Sequence, residues 1–380
     1  MKRIDRKLKY IVRKSRWPWV KLKIILKKQL GWLGCPKIYP YIGYSNGKNV
    51  YLSGSVIEDR GLSKPHANQS KASNILSMIK RYVGDEFAGV KLRIEFEGNK
   101  QIVETNEEGF FSCQFQLDKP VSKDILWTSA SYFLLDQIME NQPEVSTNGD
   151  VLMISQKPEF IIVSDIDDTL LVSHSTQFVK KIRLMLFKNA LTRLPFPGVA
   201  AFYKALQKGL DEKTFNPIFY VSSSERNLYD LLVDFCEYRG IPKGPFLLRN
   251  FQTSLLKLLT AGGGNHLHKK ESINTLLNFF PGIPFILIGD SSQRDPEIYL
   301  QAVRKFPGRI KAIYIRAAGS KRKIKNTYSI AEEVSKTGVE MLLVSNTKEA
   351  SEHAISNGLI NSKYLEAIKE EKMKDEQPTV

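Results

Sequence analysis

Cysteine is scarce: Cys35, Cys113 and Cys236 are scattered and odd in number, which excludes a disulfide framework or a zinc-ligand spacing and points to a reducing compartment. No uninterrupted apolar run reaches the roughly 18 residues of a membrane-spanning helix, so none is expected. Acids are nearly missing from residues 1–30, which hold twelve Lys and Arg against Asp5 alone. That segment carries +11 of the net charge of +16, leaving +5 for the other 350 residues. Lysines break its apolar stretch and no small-residue cleavage site follows, so it makes a poor export signal. Internal repeats are also missing. The length, 380 residues, suggests two domains with sizeable cores.

What is present at the start is an amphipathic pattern. On a 3.6-residue period Leu22, Ile25, Leu26, Leu30 and Leu33 share one face over residues 20–33, and Lys21, Lys23, Lys27 and Lys28 the other, with Ile24 the exception. Trp17, Trp19 and Trp32 lie near the ends. Two readings stand: a helix lying in a membrane interface, or a helix packed on its own domain with a solvated basic face. A basic arm also suits nucleic acid, but the leucine face fits lipid better than a phosphodiester backbone, so no nucleic acid is expected.

Residues 35–137 read as a β-rich, sandwich-like domain after the basic segment 1–34. Strands are expected at Asn49–Val56, Val90–Glu97, Gln101–Thr105, Phe110–Leu117 and Ile125–Ser131, separated by turn signals such as Ser45-Asn-Gly47. Ile75–Val83 fits a short helix, and this region holds no chemical constellation. Residues 138–157, rich in Gln, Pro, Ser, Thr, Asn and Gly, read as a linker.

From 158 to 365 apolar runs alternate with helical patterns. Strands are expected at Phe160–Ser164, Ile218–Ser222, Phe246–Leu248, Phe285–Gly289, Ile310–Ile315 and Met341–Ser345. Helices are expected near Val199–Gln207, Asn227–Tyr238, Lys269–Phe280 and Pro296–Lys305. The fold class is α/β: a parallel sheet with helices on both faces, binding ligands beyond the carboxyl ends of its strands. Residues 366–380 read as a charged tail that frays.

The chemistry gathers at those strand ends. The run Phe160-Ile-Ile-Val-Ser-Asp-Ile-Asp-Asp-Thr-Leu-Leu171 takes a buried strand straight into Asp165, Asp167 and Asp168. Uncompensated charge is costly there, so a cation is expected, and residues two apart face one spot, which suits a hard ion such as Mg²⁺. The plain alternative is an Asx-rich turn that ends the strand. The next strand ends in Ser222, Ser223 and Ser224, the fourth in Gly289-Asp-Ser-Ser-Gln-Arg-Asp295, and Lys269 opens a nearby helix. Nucleophile, proton shuttle, hydroxyl, ammonium and oxygen ligands together are what a phosphate site needs.

The ordered motifs strand-Asp-x-Asp-x-Thr, strand-Ser, Lys and strand-Gly-Asp-x-x-x-x-Asp resemble those of haloacid-dehalogenase-like phosphatases. Over 158–316 the likeness narrows. Pro197-Gly-Val-Ala-Ala201, Tyr220-Val-Ser-Ser-Ser224, Gly244-Pro-Phe-Leu-Leu-Arg249 and Gly289 to Tyr299 resemble the actin-patch-type phosphatidate phosphatases. The β-rich region of that family is matched by Tyr41–Gly61. The chain departs from the family's usual residues at Glu225-Arg226, Asn250 and Ser292.

The resemblance implies a Rossmann-like sheet and a set of roles. Asp165 would be the nucleophile and a metal ligand. Asp167 would move the proton and offer its backbone carbonyl to the metal. Asp290 and Asp295 would complete a Mg²⁺ site, Asp295 directly or through water. Ser222 would hydrogen-bond phosphoryl oxygens, and Lys269, or the adjacent Lys270, would neutralise charge. Thr169, Ser223 and Arg249 are further candidates for substrate contact; Ser223 and Ser224 also read as helix caps, and Arg249 as half of an ion pair. His174, His266 and His268 lie near the motifs, but no metal-ligand spacing links them and none is given a role, His268 standing nearest to one in orienting substrate.

Phe178–Leu191, where this superfamily inserts cap segments, has apolar residues on two helical faces; it reads as buried, or as meeting lipid through Phe187 and its neighbours. The implied activity is hydrolysis of phosphatidate to diacylglycerol and phosphate through an aspartyl-phosphate, at an anionic membrane surface, by a cytoplasmic and peripherally bound protein. The alternatives are a phosphatase of soluble phosphomonoesters, and a binding module with a vestigial site. Oligomeric state is not legible in the sequence.

Overall fold

The computed structural model describes residues 26, 33–59, 86–118, 126–154, 158–166, 197–249 and 264–376. Most of the basic segment, the helix expected at Ile75–Val83, Asp167, Asp168, Thr169 and Phe178–Leu191 lie outside the described residues. The chain divides into two compact units, with the division at Met153–Ile154.

The first unit is built from eight described strands, β1 (Pro36–Pro40), β2 (Gly43–Ser45), β3 (Asn49–Glu58), β4 (Lys91–Phe96), β5 (Asn99–Glu104), β6 (Phe110–Gln116), β7 (Trp127–Leu134) and β8 (Ser146–Met153). The strands expected of a small sandwich are joined in one hydrogen-bonded network, in the order β1-β3-β2-β8-β7-β4-β5, with β6 on β3. Its pairings are antiparallel except β2 with β8.

Alternation sets the faces. In β4 Leu92, Ile94 and Phe96 are buried while Lys91, Arg93 and Glu95 turn outward. β4 and β5 meet through Glu97-Gly98, both at positive φ, the left-handed pair that a two-residue hairpin requires. Val50, Leu52, Leu92, Ile94, Phe111 and Tyr132 lie in one buried cluster.

The linker expected at 138–157 is corrected here, because Ser146–Met153 is a full strand pairing with β7 and β2. Its polar first half hid it. Ser146, Asn148 and Asp150 face outward, and Gly149 lies so close to Pro40 that a Cβ would come within 2.6 Å of the ring.

The second unit carries β9 (Ile161–Asp165), β10 (Ile218–Glu225), β11 (Phe246–Arg249), β12 (Phe285–Asp290), β13 (Ile310–Arg316) and β14 (Glu340–Val344). All are parallel, in the order β11-β10-β9-β12-β13-β14. β9 is central and its first four residues are buried, as a strand covered on both faces demands.

The helices are α1 (Val199–Lys208), α2 (Tyr229–Tyr238), α3 (Gly264–Phe279), α4 (Asp295–Lys305), α5 (Lys321–Ser335), α6 (Thr347–Ser356) and α7 (Tyr364–Glu376). They pack in two groups, α3 with α4 and α5, and α1 with α6 and α7. Right-handed crossovers from a strand order that reverses at β9 and β12 put such groups on opposite faces.

The tail expected to fray from 366 is corrected by α7. Ile368 is buried, and Glu371 and Asp375 accept hydrogen bonds from the Ala201 and Gly198 N–H groups at the start of α1. Those N–H groups have no partner within their own helix, so distant acids serve as caps. No described helix is long and apolar enough to cross a membrane.

Candidate active site

The strand order reverses between β9 and β12, and the carboxyl ends of these two strands diverge into separate loops. Asp165 ends β9, level with Val221 of β10, and Asp290 ends β12. Ser222 therefore follows one residue beyond the Asp165 level on the neighbouring strand. Gly289 is needed for close approach: a Cβ there would lie 2.7 Å from Asp295 Oδ2 and 2.8 Å from the Tyr299 hydroxyl.

Lys269 brings the charges together. It lies in α3, and its ammonium is 2.8 Å from Asp165 Oδ1 and 3.0 Å from Asp295 Oδ1. The Lys269 and Asp165 side chains are 3% and 4% exposed, so the ion pair is shielded from water. Asp295 opens α4 and is fully buried; its Oδ2 accepts from the Asp290 N–H at 3.0 Å. The acid thus holds Lys269 with one oxygen and the end of β12 with the other. Between the two candidates, Lys269 supplies the ammonium, while Lys270 is half-buried beside it.

Asp290 Oδ1 accepts from the Ser292 N–H, and Oδ2 lies 3.9 Å from Arg316 Nε. Ser222 is buried and its hydroxyl accepts from the Ser224 N–H at 3.0 Å. Ser223 and Ser224 belong to β10 rather than capping a helix. The strand runs to Glu225, a 3-10 turn follows over Arg226–Leu228, and the N-cap of α2 is Leu228. Arg249 ends β11, half-buried at the far end of the row. His268 meets the Leu247 carbonyl at 3.2 Å, a contact that ties α3 to β11, and Ser272 Oγ of its own helix at 3.4 Å.

Beneath the acids a small cavity is walled by Phe202, Tyr203 and Tyr314, with Asp165, Asp290 and Arg316 also lining it. The Tyr203 hydroxyl and Ser164 Oγ are 2.6 Å apart, and burial pushes the Tyr203 phenol well above its ordinary pKa.

Two residues at the site escaped the sequence reading. Gln293 accepts from the Lys269 ammonium at 2.8 Å, and its amide donates to Asp165 Oδ2 at 3.4 Å. It stands in the spacer of the Gly-Asp-x-x-x-x-Asp motif, where no residue type is demanded. Arg316 ends β13, and the rule that strand ends carry function was the signal that could have found it.

Among the described residues no three His, Cys, Asp or Glu side chains are grouped to hold a metal ion. Asp295 is engaged by Lys269 and the Asp290 N–H. Asp165 and Asp290, two hard oxygen donors on adjacent strands, do fit Mg²⁺, which binds through one or two carboxylates and keeps waters or phosphate in its remaining positions.

Fold and site define an open parallel α/β domain whose buried charges converge at the topological switch point. Residues 160–317 match the family model described as phosphatidate phosphatase APP1, catalytic domain. Phosphatidate phosphatase APP1 of Saccharomyces cerevisiae is 30% identical over 159 residues, 42% of this chain and 26% of that protein. An uncharacterized protein of Schizosaccharomyces pombe is 24% identical over 256 residues, 63% of this chain and 39% of that protein. The chain thus spans well under two thirds of either curated relative. A carbohydrate acetylesterase from Xanthomonas citri, with 9% identity, covers 81% of this chain and 68% of its own, but its TM-score of 0.26 carries no argument.

Proposed function

We infer that the second unit is a Mg²⁺-dependent phosphatidate phosphatase working through an aspartyl-phosphate. The observation that carries this reading is the buried contact of Lys269 with both Asp165 and Asp295, inside the segment that matches the catalytic-domain family. A buried ammonium between two carboxylates is costly to build, and such convergent buried charges mark functional sites more often than structural ones.

An oxygen of Asp165 attacks phosphorus, and the bond from phosphorus to the diacylglycerol oxygen breaks. Asp167, outside the described residues, gives that oxygen its proton. Water then attacks the phosphorus of the aspartyl-phosphate, Asp167 takes the proton back, and orthophosphate leaves with Asp165 restored. Lys269 and Ser222 face the phosphoryl oxygens, and Asp295 keeps Lys269 aligned. Asp165 and Asp290 would hold Mg²⁺, which supplies charge neutralisation on the phosphoryl group. The basic, leucine-faced segment 1–34 would bring the enzyme to anionic membranes, where its substrate resides.

A hydrolysis panel tests the reading: phosphatidate and lysophosphatidate in anionic vesicles, against soluble sugar phosphates. Orthophosphate release from the vesicle lipids, lowered by charge reversal at Lys21, Lys23, Lys27 and Lys28 and by raised salt, is the expected result. Faster release from the sugar phosphates, indifferent to those changes, would move the substrate to soluble phosphomonoesters.

A further inference from the structure

The Lys269 ammonium donates to Asp165 Oδ1 at 2.8 Å, Asp295 Oδ1 at 3.0 Å and Gln293 Oε1 at 2.8 Å. A phosphoryl oxygen reaches this ammonium most cheaply by replacing the weakest-held of these acceptors. Asp165 and Asp295 are buried carboxylates, and a charge-assisted hydrogen bond to either costs more to break than a neutral one. Gln293 is the neutral acceptor among them. Its hydrogen bond is the weakest to give up, and a charged phosphoryl oxygen makes one about twice as strong in its place. The other end of the same carboxamide lies 3.4 Å from Asp165 Oδ2, the oxygen that Lys269 does not hold at hydrogen-bond distance in the pair above.

We propose that Gln293 is a positioning residue that holds the phosphoryl place on Lys269: its carboxamide oxygen is exchanged for a phosphoryl oxygen when substrate arrives, while its amide keeps the Asp165 carboxylate turned for attack. The proposal rests on the phosphatase reading above. Gln293 is half-buried, at the middle of the loop between β12 and α4, so its side chain can withdraw without opening the core. The two halves of the amide then pull apart in kinetics. Losing the oxygen removes a competitor for Lys269, and losing the nitrogen loosens Asp165.

The test is Gln293→Met in the full chain, which keeps the length and removes both polar atoms. Orthophosphate binding is measured by titration calorimetry with Mg²⁺ present, alongside kcat and KM on a soluble aryl phosphate. A competitor worth one neutral hydrogen bond predicts orthophosphate binding about fivefold tighter in the variant. Loss of alignment predicts kcat roughly tenfold lower, with KM unchanged or reduced. Gln293→Glu, which puts a third carboxylate on Lys269, should weaken orthophosphate binding at least about tenfold. A merely structural role would lower affinity and turnover together with thermal stability. Orthophosphate bound equally or more weakly by Gln293→Met overturns the role of Gln293. Absence of orthophosphate binding by the unaltered protein overturns the phosphate reading beneath it.

Discussion

In the antiparallel unit the buried acid Glu58 spends one oxygen on the Gly34 N–H, 2.8 Å away, and buried Thr105 bridges the Phe87 carbonyl and the Val90 N–H. Each polar group closes a local backbone need. In the parallel unit Asp165, Lys269, Asp290 and Asp295 come from three separate stretches of chain and meet at one spot. Lys269 joins two of them through side chains, while Asp290 and Asp295 also hold backbone N–H groups of the same loop. The free-energy cost of desolvating charge is similar in both units, so the difference lies in what the burial accomplishes. Isolated buried polar groups serve the fold, while a convergent set at a switch point serves chemistry.

The largest effect that would sharpen this contrast is Asp165→Asn. Turnover should fall at least about 10³-fold, as expected for loss of a nucleophile. The fold should persist because Lys269 keeps Asp295. Hydrolysis rates and thermal melting read the two halves, and turnover above a tenth of the unaltered enzyme would remove Asp165 from the attacking role.

Lys269→Met comes next. It leaves Asp165 and Asp295 without their shared cation, and breaking a buried pair costs about 3–5 kcal/mol. Urea denaturation should show that loss together with loss of turnover. A stability change under about 1 kcal/mol would mean that the pair is solvated, as exposed pairs are.

Chelation with EDTA should abolish activity reversibly, and Asp290→Ala should raise the Mg²⁺ concentration for half-maximal rate. Full activity after metal removal would take Asp165 and Asp290 out of ion binding. The smallest effect belongs to the other unit: Glu58→Gln should cost about 1 kcal/mol or less, with the Gly34 N–H still accepted by an amide oxygen, and leave turnover unchanged. A large loss of activity there would break the division of labour between the units.

What was legible in the sequence follows the same division. β9, β10, β12 and β13 were readable because continuous apolar runs end abruptly in Asp165, Ser222 and Asp290, and in turn residues after Ile315. β8 was not, since Ser146-Thr-Asn-Gly-Asp150 is polar by composition and becomes a strand only through its partners β2 and β7. α5, over Lys321–Ser335, buries only Thr327, Ile330 and Val334, a stripe too thin to stand out among its lysines. α7 looked like a charged tail because its acids serve another helix, a role no local pattern encodes.

At the site, the residue types that chemistry dictates, Asp165, Asp290, Asp295 and Lys269, could be picked out by motif. Gln293 and Arg316 act through contacts made only after folding. The partners of Asp295 are hidden from the sequence for the same reason: its two oxygens meet Lys269 and the Asp290 N–H.

Whether the buried Lys269 contact prepares Asp165 to take a phosphoryl group can be read on Asp165 itself. The direct measurement is to mix the enzyme with Mg²⁺ and phosphatidate vesicles, quench in acid within the first turnover, and map the peptides by mass spectrometry. A phosphoryl group on Asp165, absent in Asp165→Asn and formed more slowly in Asp167→Asn, is the predicted result. Turnover of phosphatidate by the unaltered enzyme with Asp165 never modified would contradict it.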